Sequence, residues 1–574
     1  MDLISWKIGG EQGEGIDSTG DILATVCNRL GYYIYGYKHF SSRIRGGHTN
    51  YKIRISTKKV LSTSGDLQIL VALDQDTIDL EYKELVPGGL IIADTKFKPH
   101  LPEGCEAALL PVPMTEMAKE LGNLQVRNVI AVGVSAYLLG LPLQGFEDMV
   151  MEKFGKKKGM GEVNVQALRL GYEHAESLFS VYKDFRLAPG DGKARLLLIG
   201  NEAAALGALA GGCRVMTAYP ITPASEIMQY LIPTFPQFGG IVVQCEDEIA
   251  SITAAIGAGF GGARAMTATS GPGLSLMQEG IGLASMAEIP VVIINTQRGG
   301  PSTGMPTKQE QSDVFAMIFG GHGDSPRIVL TPSTTEEAFY DTALAFNLAE
   351  RFQCPVLVAT DLAISLNLTT VDNLDLSRIK IDRGQVANTE ELLKMGRDVF
   401  KRYAVTESGV SPRSLPGQKY GQYLATGIEH SETGKVQENP DNRVNQMNKR
   451  FRKLQGLDVP GVRYNGAENP DILLVGFGST TGAIDKVVDE LTEDGVKAAH
   501  LHVRVMWPFP SKEIKAAIEK AKRVVVAENN AQAQLLRLIK MEVGHYDHVE
   551  SLLKYNGNPF LPSDIMGKCR EVLG

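Results

Sequence analysis

Short apolar runs, each closed by a turn and followed by a helical pattern, recur along the whole chain, and this alternation constrains the fold more than any other feature. Strand-like runs stand at 3–8, 67–73 and 89–93, with a glycine-rich turn (Gly9, Gly10, Gly13, Gly15) leading from the first into a helical pattern over 17–30. Strands that alternate with helices pair in parallel and carry the helices on the faces of the sheet. A turn-rich stretch, 187–192, ends this set. A second set follows at 195–199, 241–243, 265–269, 291–295, 327–330 and 356–360, and a third at 471–475, 498–503 and 523–527. The expected architecture is α/β: three doubly wound domains at 1–186, 193–368 and 466–574. The polar stretch 369–465 between the last two reads as an extended connector with some helix, covering a partner. No fixed-period repeat is present.

A chain of 574 residues supports about three to four domains. Its net charge of -8 argues against nucleic acid, which requires a concentrated basic face. No apolar stretch reaches the roughly 18–20 residues that span a bilayer. The start, Met1 to Lys7, lacks a basic segment followed by an apolar one, so a cytoplasmic enzyme with no membrane contact is expected. Cys27, Cys105, Cys213, Cys245, Cys354 and Cys569 are scattered without a Cys-x-x-Cys pair. The chain is therefore expected to carry neither zinc nor an iron–sulfur cluster of its own.

The densest chemistry lies between Glu248 and Gly273. Glu248 opens a run of small apolar residues that reaches Gly257, and the strand at 265–269 ends in Thr269-Ser270-Gly271-Pro272-Gly273. A helix apolar on every face is buried on every side, and a carboxylate at its start then needs a partner. Such a group suits proton transfer. A glutamate placed only to match the helix dipole is the other reading of the same spacing, and Glu246 and Asp247 compete for the role. Upstream, Tyr219-Pro220-Ile221-Thr222-Pro223-Ala224-Ser225-Glu226 is stiffened by prolines on both sides of Thr222. It can cap a helix or face a ligand. Asn295 to Gly304 follows a strand and carries Arg298, whose fork of donors suits a carboxylate. Ligands of open α/β sheets bind at such strand ends. The turn Gly9–Gly15 is a weak sign of dinucleotide binding. Arg43 and Arg45, beside Gly46 and Gly47, suit a phosphate.

In combination these motifs resemble the 2-oxoacid:ferredoxin oxidoreductase family. The Glu248 helix with Thr269-Ser270-Gly271-Pro272-Gly273 resembles the pyrimidine-binding domain of thiamin diphosphate enzymes, and the turn is similar to that of acetolactate synthases. The resemblance implies that Glu248 bonds N1′ of the aminopyrimidine and that Thr269, Ser270 and Gly271 contact the cofactor. Tyr219–Pro223, Pro306–Asp313 and His322–Asp324 resemble the family's alpha subunit, which implies that Thr222 faces substrate and that Arg298 pairs with the 2-oxoacid carboxylate. Gly9–Gly15 and Ser42–Gly47 resemble its gamma domain, which implies a coenzyme A contact at Arg43 and Arg45. Trp507-Pro508-Phe509-Pro510 and Glu528-Asn529-Asn530 resemble a transketolase C-terminal-type domain. The implied protein is a gamma-fused alpha subunit of the 2-oxoglutarate type, with pyruvate and branched-chain 2-oxoacids open as substrates.

Thiamin enzymes hold Mg2+ and diphosphate with Gly-Asp-Gly followed at a set interval by paired asparagines. Gly190-Asp191-Gly192 lies in a linker with no such pair after it, and Asn529-Asn530 has no Gly-Asp-Gly upstream. The resemblance therefore implies a partner beta subunit that carries Mg2+, the diphosphate ligands and a 4Fe-4S cluster. It also implies coenzyme A as substrate, ferredoxin as acceptor and a dimer of alpha-beta heterodimers. A non-oxidative thiamin enzyme lacks support without the diphosphate motif, and a mere nucleotide-binding module lacks any use for the Glu248 and Thr222 motifs. This inventory predicts that the chain expressed alone shows no 2-oxoacid-dependent reduction of ferredoxin. Adding a beta subunit should restore thiamin binding, cluster absorbance and activity together. Full turnover by the iron-free chain would refute the reading.

Overall fold

The computed structural model describes residues 1–40, 47–157, 159–395 and 400–574. The chain divides into two units, one of residues 1–198 with 366–373, the other of residues 199–365 with 374–574.

The first unit is built on an eight-stranded sheet in the order Ala108–Val112, Leu85–Asp94, Leu67–Ala72, Leu3–Glu11, His48–Ser56, Tyr33–His39, Leu368–Val371, Leu196–Leu198. The first four strands run parallel, as the alternation predicts, but the other half of the sheet is antiparallel. The hairpin Tyr33–His39/His48–Ser56 was not legible because its second face is polar yet buried. Ile34, Tyr51, Ile53 and Ile55 enter the apolar core. Their alternates Asn50, Lys52 and Arg54, with Lys7, are buried as well. Ion pairs make that burial tolerable: Lys7 Nζ lies 2.7 Å from both Glu81 and Glu84, and Lys52 Nζ lies 2.9 Å from Glu84. The run at 195–199, expected to open the second domain, instead edges this sheet as Leu196–Leu198. The strand Leu368–Val371, at the start of the expected connector, pairs beside it.

Gly190-Asp191-Gly192 is a packing turn. A side chain on Gly190 would lie 2.3 Å from the Leu30 carbonyl oxygen. Asp191 pairs with Arg195 at 2.6 Å, which holds its carboxyl well below the usual range.

The second unit holds two sheets. The larger runs Val505–Trp507, Ile328–Leu330, Pro355–Asp361, Val291–Gln297, Ala265–Thr269, Val215–Ala218, Ile241–Gln244, parallel except at the Val505–Trp507 edge. The smaller runs Val462–Gly466, Ala498–Val503, Ile472–Gly476, Arg523–Glu528, Val549–Leu553, parallel except at the Val462–Gly466 edge. The central strands are near-continuous apolar runs because helices cover both faces. One apolar core takes Met277, Ile293 and Ile318 from around the larger sheet and Val475, Leu501 and Val526 from the smaller. No described helix is long and apolar enough to cross a membrane.

The polar stretch 374–461 is fastened onto this unit by buried charge. Glu288 accepts from Lys449 Nζ at 2.6 Å and Lys453 Nζ at 3.1 Å, and all three side chains are fully buried. Arg402 donates to the Glu288 carbonyl at 2.7 Å. Burial works to raise the Glu288 carboxyl, but the two lysines and Arg402 overcome it and hold the group well below the usual range. Glu350 gathers Arg264 at 2.8 Å, Arg383 at 2.9 Å and Arg413 at 3.0 Å. Removing one partner of such a cluster strands the others. Glu288→Ala should therefore lower stability by about 3–5 kcal/mol, whereas Glu490→Ala, which breaks the exposed 3.2 Å pair with Lys486, should cost about 0–1 kcal/mol. Comparable shifts in urea titrations of the two variants would contradict this account.

Candidate functional site

Four strands of the larger sheet, Val215–Ala218, Ile241–Gln244, Ala265–Thr269 and Val291–Gln297, end on the same side because they run parallel. The loops that follow them bring the sequence-predicted residues of this unit together.

The helix Glu248–Phe260 starts with its acidic residues sorted by role. Glu246 is exposed, Asp247 caps the helix by accepting the Ala250 N–H at 2.7 Å, and Glu248 is only 6% exposed. The helix is not covered all round, as its apolar composition led us to expect. Ile249, Thr253, Ala254 and Gly257 form an exposed face that no other described residue of the chain covers.

The helix Gly271–Met286 begins directly after the strand that ends at Thr269. A Cβ on Gly273 would lie 2.0 Å from Thr269 Oγ1 and 2.7 Å from Glu248 Oε1. Glycine at this position is what lets the carboxylate reach the strand end. Thr269 and Ser270 are fully buried, and Ser270 Oγ finds no partner although it stands at the helix cap. A side chain on Gly271 would lie about 3.0 Å from the Asp313 carboxylate.

Thr222 and Arg298 meet. Arg298 Nη1 donates to the Thr222 carbonyl oxygen at 2.5 Å, and Nη2 donates to that of Thr303 at 3.2 Å. Thr222 itself is exposed, and the peptide bond to Pro223 is cis. The proline turn is not a side-chain cap for the following helix, Ser225–Thr234. Asn201 Nδ2 donates to the Pro223 carbonyl at 2.6 Å and to Glu226 at 3.1 Å, and burial raises the Glu226 carboxyl. Arg298 is 6% exposed, and burial lowers its pKa against the pull of Asp313. Its Nε and Asn295 Oδ1 are buried without a partner.

Sequence reasoning gave no role to Asp313, Asn295 or Glu310, which complete the cluster. Asn295 Nδ2 donates to Asp313 at 3.0 Å, and Glu310 raises the Asp313 carboxyl through its charge. Asp313 closes the Pro306–Asp313 motif, but an Asp just before a helix reads locally as a cap, so its place in this cluster was not legible. Arg43 and Arg45 lie outside the described residues. The Gly9–Gly15 turn of the first unit leads into the helix Ile16–Arg29, and its Glu14 pairs with Arg127 at 2.9 Å.

Three family models match the chain in succession. "Pyruvate ferredoxin/flavodoxin oxidoreductase" matches residues 5–174, "Pyruvate flavodoxin/ferredoxin oxidoreductase, thiamine diP-bdg" residues 206–449, and "Pyruvate:ferredoxin oxidoreductase core domain II" residues 470–565. The chain is 35% identical to the 2-oxoacid:ferredoxin oxidoreductase subunit alpha of a Sulfolobus species, over 99% of this chain and 97% of that one. It is 37% identical to the 2-oxoglutarate synthase subunit KorA of Methanothermobacter thermautotrophicus, over 65% of this chain and 97% of that one. The 2-oxoglutarate:ferredoxin oxidoreductase of Magnetococcus marinus, solved with 2-oxoglutarate, coenzyme A and succinyl-CoA bound, superimposes with a TM-score of 0.94 at 34% identity, covering 100% of both chains. Fold and site thus define an oxidoreductase subunit with a thiamine diphosphate-binding domain. The chain belongs to the 2-oxoacid:ferredoxin oxidoreductase family, among its alpha subunits.

The residues fit that cofactor. A buried carboxylate stands beside a glycine where a side chain would block it, and the nearby Ser270 Oγ, Asn295 Oδ1 and Arg298 Nε have hydrogen-bonding capacity to spare. Gly273→Ala should displace Glu248 and cost about 1–3 kcal/mol through overpacking. Adding Thr269→Ala, which removes the nearest clashing atom, should recover part of that loss. A double variant no more stable than Gly273→Ala alone, by thermal melting, would show that the crowding lies elsewhere.

Proposed function

We propose that the chain is the gamma-fused alpha subunit of a coenzyme A-acylating enzyme that interconverts 2-oxoglutarate and coenzyme A with succinyl-CoA, CO2 and reduced ferredoxin. The observation that carries the reading is the buried Glu248 beside Gly273, with Arg298 bonded to Thr222 at the neighbouring strand ends. Glu248 would bond N1′ of the aminopyrimidine and carry a proton there, and Thr269, Ser270 and Gly271 would hold the ring. Thiamin diphosphate, when bound, supplies the carbon nucleophile and the electron sink for decarboxylation. Arg298 receives the 2-oxoacid carboxylate through its free donors, and Thr222 borders the reacting carbon. 2-Oxoglutarate is favoured by the M. marinus structure and the KorA relative. Pyruvate, which the family models name, is the second reading.

The Mg2+-diphosphate ligands and the 4Fe-4S cluster are assigned to a beta subunit, in a dimer of heterodimers that passes electrons to ferredoxin. The exposed Ile249–Gly257 face, with exposed Ile241, Val243 and Leu276 nearby in sequence, offers the apolar surface that an obligate partner covers. Arg43 and Arg45 remain proposed contacts for coenzyme A phosphate.

In the assembled enzyme, Glu248→Gln should slow exchange of the thiamin C2 proton by about 10²–10⁴-fold without altering circular dichroism, whereas Glu246→Gln should leave exchange near normal. Arg298→Lys keeps the charge but loses the fork. It should raise KM for the 2-oxoacid while C2 exchange persists. Normal exchange in Glu248→Gln, or an unchanged KM in Arg298→Lys, would move the pocket elsewhere.

A further inference from the structure

Asp313 stands immediately before the helix Val314–Phe319 and makes no side-chain capping bond. An aspartate in that place ordinarily turns back on the first N–H groups of the helix. Here the carboxylate turns the other way. Its Oδ2 accepts from Asn295 Nδ2 at 3.0 Å, and its two oxygens lie 3.0 and 3.1 Å from where a Cβ of Gly271 would stand. A side chain at position 271 would crowd the carboxylate.

The placement is imposed from outside the helix. The Asp313 N–H donates to Gln297 Oε1 at 3.1 Å. Gln534, on the smaller sheet's side, donates to the Ser312 carbonyl at 2.8 Å and accepts from the Phe315 N–H at 3.0 Å. Two residues of the carboxylate's surroundings, Asn295 and Arg298, each keep a buried polar atom without a partner, Oδ1 and Nε respectively.

The charged groups that act on Asp313 are Glu310, from its own segment, and Arg298, from the strand end. Burial raises the carboxyl most, Glu310 raises it further, and Asn295 and Arg298 oppose them. The outcome is a pKa of about 6.

We propose that Asp313 is a positioning residue of the substrate pocket, one that orients Asn295 and tunes the field of Arg298, so that its charge state sets how firmly a 2-oxoacid carboxylate is held. The proposal rests on the reading that Arg298 receives that carboxylate. Below pH about 6 Asp313 is neutral and Arg298 presents its full charge to substrate. Above it, the Asp313 anion competes for Arg298 and repels an incoming carboxylate.

The test is the pH profile of KM for 2-oxoglutarate in the assembled alpha-beta enzyme, from pH about 5 to 8. Wild type should show KM rising about three- to tenfold as pH climbs through about 6. Asp313→Asn, which keeps an oxygen for Asn295 but cannot ionise, should lose this inflection. Asp313→Ala, which leaves Asn295 without its partner, should have a raised KM at every pH. Both effects should fall on KM more than on kcat.

Folding provides a second readout. Because the folded-state pKa lies above the unfolded one, ionisation costs stability as pH rises from about 4 to 6. Asp313→Asn should therefore melt no lower than wild type at pH 8. An Asp313→Asn enzyme that keeps the wild-type inflection, or that loses kcat at constant KM, overturns the proposal. If Arg298→Lys also binds 2-oxoglutarate normally, the pocket reading fails with it. If Arg298→Lys weakens binding while Asp313→Asn retains the inflection, only the role of Asp313 falls.

Discussion

One buried amide organises the site-bearing unit. Gln311 is fully buried, and its Nε2 donates to Asp361 Oδ2 at 2.8 Å and to the Phe477 carbonyl at 2.9 Å. Its Oε1 accepts the Asn529 N–H at 3.1 Å, and its own N–H donates to the Asn529 carbonyl at 2.7 Å. A buried amide left unpaired is costly, so this fully engaged one specifies a single arrangement of three elements: the end of Pro355–Asp361, the turn after Ile472–Gly476 and the turn after Arg523–Glu528. The segment that carries Gln311 runs from near Arg298 to Asp313. Two arms of the pocket are therefore fixed from a distance by the smaller sheet.

This gives the C-terminal segment a task beyond closing a core. Glu528 accepts the Leu535 N–H at 2.8 Å and the Leu536 N–H at 3.1 Å, and Asn530 donates to Glu528 at 2.6 Å. Glu528-Asn529-Asn530 is thus a self-contained turn that presents Asn529 to Gln311. Gln309 extends the contact by donating to Ser479 Oγ at 3.0 Å. The paired asparagines, which have no Gly-Asp-Gly upstream in the sequence, serve packing here.

Burial of charge is the second organising theme. Glu288 with Lys449 and Lys453, Glu350 with Arg264 and Arg413, and Glu81 with Lys7 lie inside their units, while Arg383 and Glu84 join two of these clusters from the surface. Such clusters add little net stability over apolar packing, but they tolerate no missing member. For a polar stretch such as 374–461, which has few apolar anchors, they confer a unique docking position. Arg402, Lys449 and Lys453 lie in the stretch that reads in sequence as a polar connector, and their buried partner Glu288 stands more than a hundred residues away.

What the sequence determined by itself was local. Apolar runs marked most of the parallel strands, because a strand covered on both faces must be apolar throughout. The small-residue helix after Glu248, the Thr269–Gly273 turn and the loop around Arg298 were legible because each lies within one strand-to-helix connection. Tertiary structure decided what depended on distant partners. The hairpin Tyr33–His39/His48–Ser56 hid behind a polar face that Glu81 and Glu84 neutralise. The assignment of Leu196–Leu198 and Leu368–Val371 to the first sheet depended on pairing across long stretches of chain. Asp313 joined the pocket only because Gln311 and Gln534 hold its segment there. A side chain's neighbours along the chain set its backbone preferences, but its dielectric surroundings and its partners are set by whatever the fold packs against it.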